Sequence, residues 1–218
     1  MSFSIIFPTI FPTNRGASRK EHTVNIFILS HEHHPAKHYL EQARYHCDKH
    51  VVKMILESCQ MLCTTLAQAP VIGSRICENL HTSAPCKPLA LGMSKHPCVE
   101  WTKKSIINFN YLTRLAYALC FEHQFRYPLS AEHEHMSWLK YLCEELDDLG
   151  YPVHNPLPEV FAVAVKDPVL RTTSAPHSKA VEMYRDYYFR DKYAFATWRA
   201  RPEPIWWTER EVDSQSIQ

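Results

Sequence analysis

His46, His50, Lys53 and Glu57 fall at i, i+4, i+7 and i+11 along the stretch "HCDKHVVKMILE". On a helix these positions make one narrow line of two imidazoles, an ammonium and a carboxylate. Such groups serve as general acid, general base and charge stabiliser, and apolar walls around them shift their proton affinities towards what catalysis needs. A plainer reading is a solvated line on a helix that is otherwise packed. His46 and His50 also have the one-turn spacing with which two imidazoles chelate one ion. The Glu of the zinc-protease motif is missing, however, and Lys53 one turn on repels a cation. The expected set is therefore catalytic and metal-free. His96 is the natural third ligand, beside His46 and His50, if a metal is held after all.

A second group lies in "VEMYRDYYFRDK". Tyr184, Tyr188 and Lys192 share a helical face with Arg185 beside them. Cations for phosphate and rings for stacking suit a nucleic acid or nucleotide. An amphipathic helix with snorkelling cations has the same pattern. His96 precedes the helix opening "HPCVEW", where free backbone N–H groups favour an anion such as phosphate; simple capping is the alternative. His31, His33, His34 and His38 crowd the connector "SHEHHPAKH", where His density alone is weak evidence.

The elements that must position these residues read as mainly α. The chain has 218 residues, enough for one sizeable core. With 4 Gly against 15 Pro, irregular connectors between helices fit better than hairpins. The periodicity predicts a single domain over 24–207, a bundle of about four long helices with long Pro-rich loops. The first helix spans Tyr39–Leu66, with Cys47, Val51, Val52, Met54, Ile55, Leu56, Cys59 and Leu62 as core. The second runs from Pro97 to Tyr127 and stops at Pro128. The third covers Ala131–Leu149, capped by Ser130 and closed by Gly150. The fourth covers about Lys179–Trp198. "VNIFIL" over 24–29 is a short strand or extended core segment. Residues 151–176 are a loop long enough to cover a site. Residues 1–23 read as an N-terminal extension outside the core, and 208–218 as a disordered tail.

The formal charge of +1 gives no global pull towards nucleic acid or membrane, which leaves room only for a local basic groove. No apolar run reaches the length of a membrane span. The 8 Cys contain no CxxC pair, and five sit in helical patterns, so free thiols in a reducing cytoplasm are expected.

"NIF", "YHCDKHVVKMILESCQML", "HPCVEW" and "VEMYRDYYFRDK" with "ATW" occur in that order, and together they resemble a family of tailed-bacteriophage proteins of unassigned biochemistry. The resemblance covers most of 24–207. Family members begin Met-Asn-Ile-Phe where this chain has Val24-Asn25-Ile26-Phe27, so Val24 is expected to mark the family's start. "KPLALGMSKHPC" departs from the family by lacking a Thr-His pair. A weaker likeness is to the small helical pyrimidine-dimer DNA glycosylases of phages, which implies base chemistry with a Glu as key acid/base. The combined expectation is a phage enzyme, needing no cofactor, that acts on nucleic acid or nucleotides. In it His46, His50, Lys53 and Glu57 move protons, while His96, Tyr184, Arg185, Tyr188 and Lys192 hold substrate or phosphate. The alternatives are a metal-dependent phosphohydrolase and a non-enzymatic host-interaction protein.

Overall fold

A computed structural model describes residues 25–76, 87, 89, 94–130, 132–165 and 173–209. The extension expected over 1–23 lies outside these residues, as does the tail beyond residue 209. Helix accounts for 61% and strand for 4%, so the chain is mainly helical. The elements are α1 (Pro35–Tyr45), α2 (Asp48–Gln68), α3 (Pro70–Gly73), α4 (Pro97–Lys104), α5 (Ile106–Arg126), α6 (Met136–Asp148), β1 (Val160–Ala162), β2 (Ser174–Pro176) and α7 (His177–Lys192).

The long helices expected from periodicity are cut into shorter pieces. The first breaks at His46 and Cys47, both in extended conformation with ψ of 134° and 161°. No Pro or Gly marks the break. It is held from a distance: the Asp48 N–H donates to the Thr197 carbonyl at 2.8 Å. The Asp48 carboxylate accepts from the Arg199 N–H and the Thr197 hydroxyl, each at 2.9 Å. An acidic group in the first turn of α2 also suits the helix dipole. The second expected helix breaks at Ser105, whose hydroxyl accepts from the Asn108 N–H at 3.1 Å and starts α5 afresh.

The third helix starts at Met136, later than expected, because Ser130 closes the turn after α5 by donating to the Tyr127 carbonyl at 2.6 Å. Its end is as anticipated. Gly150 has φ of 83°, its N–H donates to Asp147, and the Tyr151 N–H donates to Leu146, which is the Schellman arrangement. The last helix ends at Lys192, before Trp198. The expected loop over 151–176 contains β1 and β2, paired antiparallel with Phe161 opposite Ala175.

The core forms where α2 packs on α5, with α1, α4 and α6 around them. Val51, Ile55, Cys59 and Leu62 of α2 meet an environment that includes Phe109, Leu112 and Leu119 of α5 and Leu139, Leu142 and Leu146 of α6. The buried arc of α2 is narrower than expected: Val52 and Leu56 are 46% and 43% exposed.

α5 is buried nearly all round, and its polar groups are paired inside. The Arg126 guanidinium donates to Glu122 at 2.8 Å, to Asp48 at 2.9 Å and to the Arg44 carbonyl at 2.8 Å. Glu122 also accepts from Arg201, at 3.0 and 2.8 Å. Truncating one member of a buried network strands the charges it leaves behind. Arg126→Ala is expected to lower unfolding free energy in urea by about 3–5 kcal/mol, and a loss below about 1 kcal/mol would show that the network contributes no more than a surface pair.

Candidate functional site

Residues 25–30 run through the interior without regular secondary structure, and among the described residues they pair with no strand. Side chains serve several of their peptide groups. The Leu29 N–H donates to Gln42 Oε1 at 2.6 Å, and the Leu29 carbonyl accepts from Arg185 Nε at 2.8 Å. Asn25 Oδ1 accepts from the Ile26 N–H at 3.1 Å and the Tyr184 hydroxyl at 2.7 Å. The Cys98 thiol donates to the same oxygen at 3.8 Å. In the middle of the segment, the Phe27 ring stacks on His50 with centroids 4.4 Å apart and planes 13° from parallel. Tyr184 and Tyr188 of α7 meet it edge to face at 5.4 and 5.2 Å, and the Tyr187 ring lies nearly parallel to it at 6.3 Å. Phe27 thus joins the polar line of α2 to one face of α7.

His46 does not lie on α2. It ends α1, is wholly buried, and donates from Nδ1 to the Gln42 carbonyl at 2.6 Å. Burial pushes its pKa from 6.5 down to about 4. His50 is buried beneath Phe27 and shares a hydrogen bond with the Tyr188 hydroxyl. Burial holds its pKa well below the ordinary value, with His46, Lys192 and Lys53 adding positive charge nearby. His50 is therefore a neutral imidazole at pH 7. Glu57 is buried, and its carboxylate pairs at 2.7 Å with Lys53, whose side chain is 44% exposed. The line is not a solvated stripe. His46 lies deep, His50 and Glu57 lie beneath the surface, and Lys53 reaches solvent.

Three of the expected substrate contacts hold the fold together. Tyr184 is wholly buried; its hydroxyl is also within 3.0 Å of the Ala162 carbonyl and accepts from the Ala164 N–H at 3.3 Å. Tyr188 is wholly buried against His50. Arg185 binds the Leu29 carbonyl and lies over the Trp206 ring at 5.1 Å. A phosphate-holding role does not fit groups committed in this way. His96 caps α4, with Nδ1 accepting from the Cys98 N–H at 3.3 Å, which is the plainer of its two expected roles. Lys192 differs from these. It lies over the Tyr187 ring at 4.6 Å and near Phe195 at 5.8 Å.

Lys49 and Phe195 complete the edge, and neither was among the expected residues. Lys49 sits 4.4 Å over Phe195, whose ring lies 6.2 Å from that of His50. Lys49 and Lys53 are one turn apart on α2, a signal present in the sequence, whereas Phe195 follows α7 in a non-helical stretch. The outcome is a shallow edge with His50 beneath it and Lys49, Lys53, Lys192 and Phe195 around it.

Among the described residues no three His, Cys, Asp or Glu side chains present their donors to a common metal centre. This removes the geometric basis for a metal held by His46, His50 and His96. A cleft of about 490 Å³ lies elsewhere, between Trp101, Asn108, Tyr151 and Glu159, and does not include His50. No helix among the described residues is long and apolar enough to cross a membrane. Neither family models, nor curated proteins, nor solved structures contain a match to the chain.

His38, like His46, is buried and has its pKa pushed down to about 4. A folded-state pKa below the unfolded 6.5 means the unfolded chain takes up the proton first as pH falls. The stability these neutral imidazoles contribute is complete above pH 6.5 and is lost progressively towards pH 4, at up to about 1.4 kcal/mol per pH unit for each. In urea denaturation at pH 7 and pH 5, His46→Gln is expected to show a smaller drop than the parent chain. An equal drop in the two proteins would place the acid sensitivity elsewhere.

Proposed function

We propose that the chain is an enzyme acting on nucleic acid or nucleotides, with proton transfer at His50 and Glu57. The reading is carried by the neutral imidazole of His50, which is stacked on Phe27, tethered by Tyr188 and faced by Lys53 and Lys192. A neutral imidazole accepts a proton, and the two ammonium groups hold the phosphate that brings the proton donor to it. Glu57, two turns along the same helix and paired with Lys53, is the second proton-handling group. Lys49 adds a third cation, and Phe195 supplies a ring on which a base can stack. In this reading Lys192 keeps its expected role, while Tyr188, Tyr184 and Arg185 position the site and do not touch substrate. DNA base excision or base modification is its concrete form, in keeping with the likeness to phage base-excision enzymes. A reducing cytoplasm is its proposed setting, in keeping with the buried thiols of Cys47, Cys120 and Cys143.

A second reading is a docking face for another protein. It is favoured by Val52 and Leu56, which are exposed beside Lys49 and Lys53 on α2.

Fluorescence anisotropy with labelled single-stranded and duplex DNA separates the two. Lys49→Ala and Lys192→Ala are each expected to weaken binding severalfold and to reduce the salt slope by about one. With ultraviolet-irradiated duplex as substrate, His50→Gln is expected to lower base release or strand cleavage by about 10²–10⁴-fold while DNA affinity is kept. Absence of DNA binding at low salt would overturn the nucleic-acid reading, and full activity in His50→Gln would remove the acid–base assignment.

A further inference from the structure

The segment that follows α7 starts at the His50 edge and leaves it across the start of α2 and the end of α5. The Thr197 carbonyl accepts from the Asp48 N–H at 2.8 Å, and Arg201 donates to Glu122 at 3.0 and 2.8 Å. Along this path, residues 195–201, three rings each carry a cation. Lys49 lies 4.4 Å over Phe195, Arg199 lies 5.4 Å over Tyr127, and Arg201 lies 3.6 Å over Phe125. Phe195 and Tyr127 are half-buried and Phe125 is 50% exposed, so each ring keeps surface open to solvent. Between the two Arg the chain turns at Ala200, in a left-handed conformation with φ of 57° that Gly adopts more readily. On either side of that turn, each guanidinium meets a ring of its own.

We infer that this path binds a single strand of nucleic acid and leads it to the His50 edge. The inference rests on the nucleic-acid reading of that edge and narrows it to strands with unpaired bases. Any base can stack on an open ring, or on a guanidinium plane lying over one, whatever its sequence. In a duplex the bases are already paired and stacked on each other, so this face could reach little more than phosphates. Phe195 joins the two places, since its ring lies 6.2 Å from that of His50 and also begins the path.

The charges along the path suit a polyanion. Among the described residues Lys49, Lys192 and Arg199 form no ion pair, so their charge is available to phosphate. The carboxylates beneath the path are turned inward and committed. Glu122 is 4% exposed and holds Arg126 and Arg201, while Asp48 holds Arg126, the Thr197 hydroxyl and the Arg199 N–H. Rings and cations are therefore presented outward, which is the pairing that tracks a single-stranded backbone.

The test is fluorescence anisotropy of the full-length protein with labelled oligothymidylate and oligouridylate of about 16 nucleotides, against a duplex of the same length. At least one of the two single strands is expected to bind about tenfold or more tighter than the duplex, and the tighter one identifies the sugar. Phe125→Leu and Tyr127→Leu keep apolar bulk and remove the ring; each is expected to weaken single-strand binding about fivefold or more, the loss of one stacked base. Arg199→Gln keeps the backbone contact to Asp48 and is expected to reduce the salt slope by about one. Circular dichroism is expected to be unchanged in all three, whose altered side chains reach solvent. Binding that Lys192→Ala weakens, but that is as tight for duplex as for single strands or is indifferent to all three variants, overturns the path and leaves the edge reading in place. Absence of binding to every probe overturns both.

Discussion

A buried segment without regular secondary structure has to find side-chain partners for its peptide groups, and residues 25–30 impose this demand on the structure. Ile26, Phe27, Ile28 and Leu29 are each at most 4% exposed. Every peptide group left unpaired there is unfavourable by about 1–3 kcal/mol. Gln42 of α1 and Arg185 of α7 serve the Leu29 peptide groups, the Asn25 side chain serves the Ile26 N–H, and Tyr184 of α7 holds that side chain in place. Polar residues that would be surplus on ordinary amphipathic helices are therefore structural in this chain. The segment takes the place of a sheet between α2 and α7, and side chains do the work of a ladder.

The same constraint creates the chemistry of the His50 edge. Because Phe27 must be buried between the two helices, it covers His50 and removes water from one face of the imidazole. Desolvation keeps the ring neutral, and the hydrogen bond to Tyr188 fixes its orientation. The cations that remain near solvent, Lys49, Lys53 and Lys192, stand where the packing stops. A core requirement and a polar edge thus share one aromatic ring, and the edge carries local positive charge on a chain of almost no net charge.

The helical class was legible in the sequence, and so were several boundaries that have local causes. Pro97, Pro128 and Gly150 act within a turn of their own positions, and the structure starts or stops helices there. The break at Ser105 was missed, although its hydroxyl caps α5 by accepting from the Asn108 N–H, because a Ser inside a continuous periodic run gives no local stop. The break at His46 and Cys47 was missed too, because its partners Thr197 and Arg199 lie some 150 residues away. The strands β1 and β2 are three residues each, too short for periodicity to register. At the site, helical spacing placed His50 in line with Lys53 on α2 and Lys192 in line with Tyr188 on α7, but not the two helices against each other. The burial of Tyr184, Tyr188 and Arg185 could not follow from it, because spacing assigns a face and not what covers that face. Val52 and Leu56 were misassigned for the same reason.

The contact between Tyr184 and Asn25 joins residues 159 positions apart, and that between Arg199 and Asp48 joins residues 151 apart. Both ends of the described chain are therefore needed before the interior closes. During synthesis the early helices leave the ribosome with residues 25–30 and Asp48 still lacking their partners from α7 and the segment after it. Local helices can form in that interval, but the contacts of residues 25–30 and Asp48 wait for α7 and the segment after it. Until then Phe27 has no tyrosines from α7 around it, and the nascent protein exposes the apolar segment of residues 26–29. Closure is thus tied to the emergence of α7, and a chain stopped before it would lack the edge and the lock on residues 25–30 together.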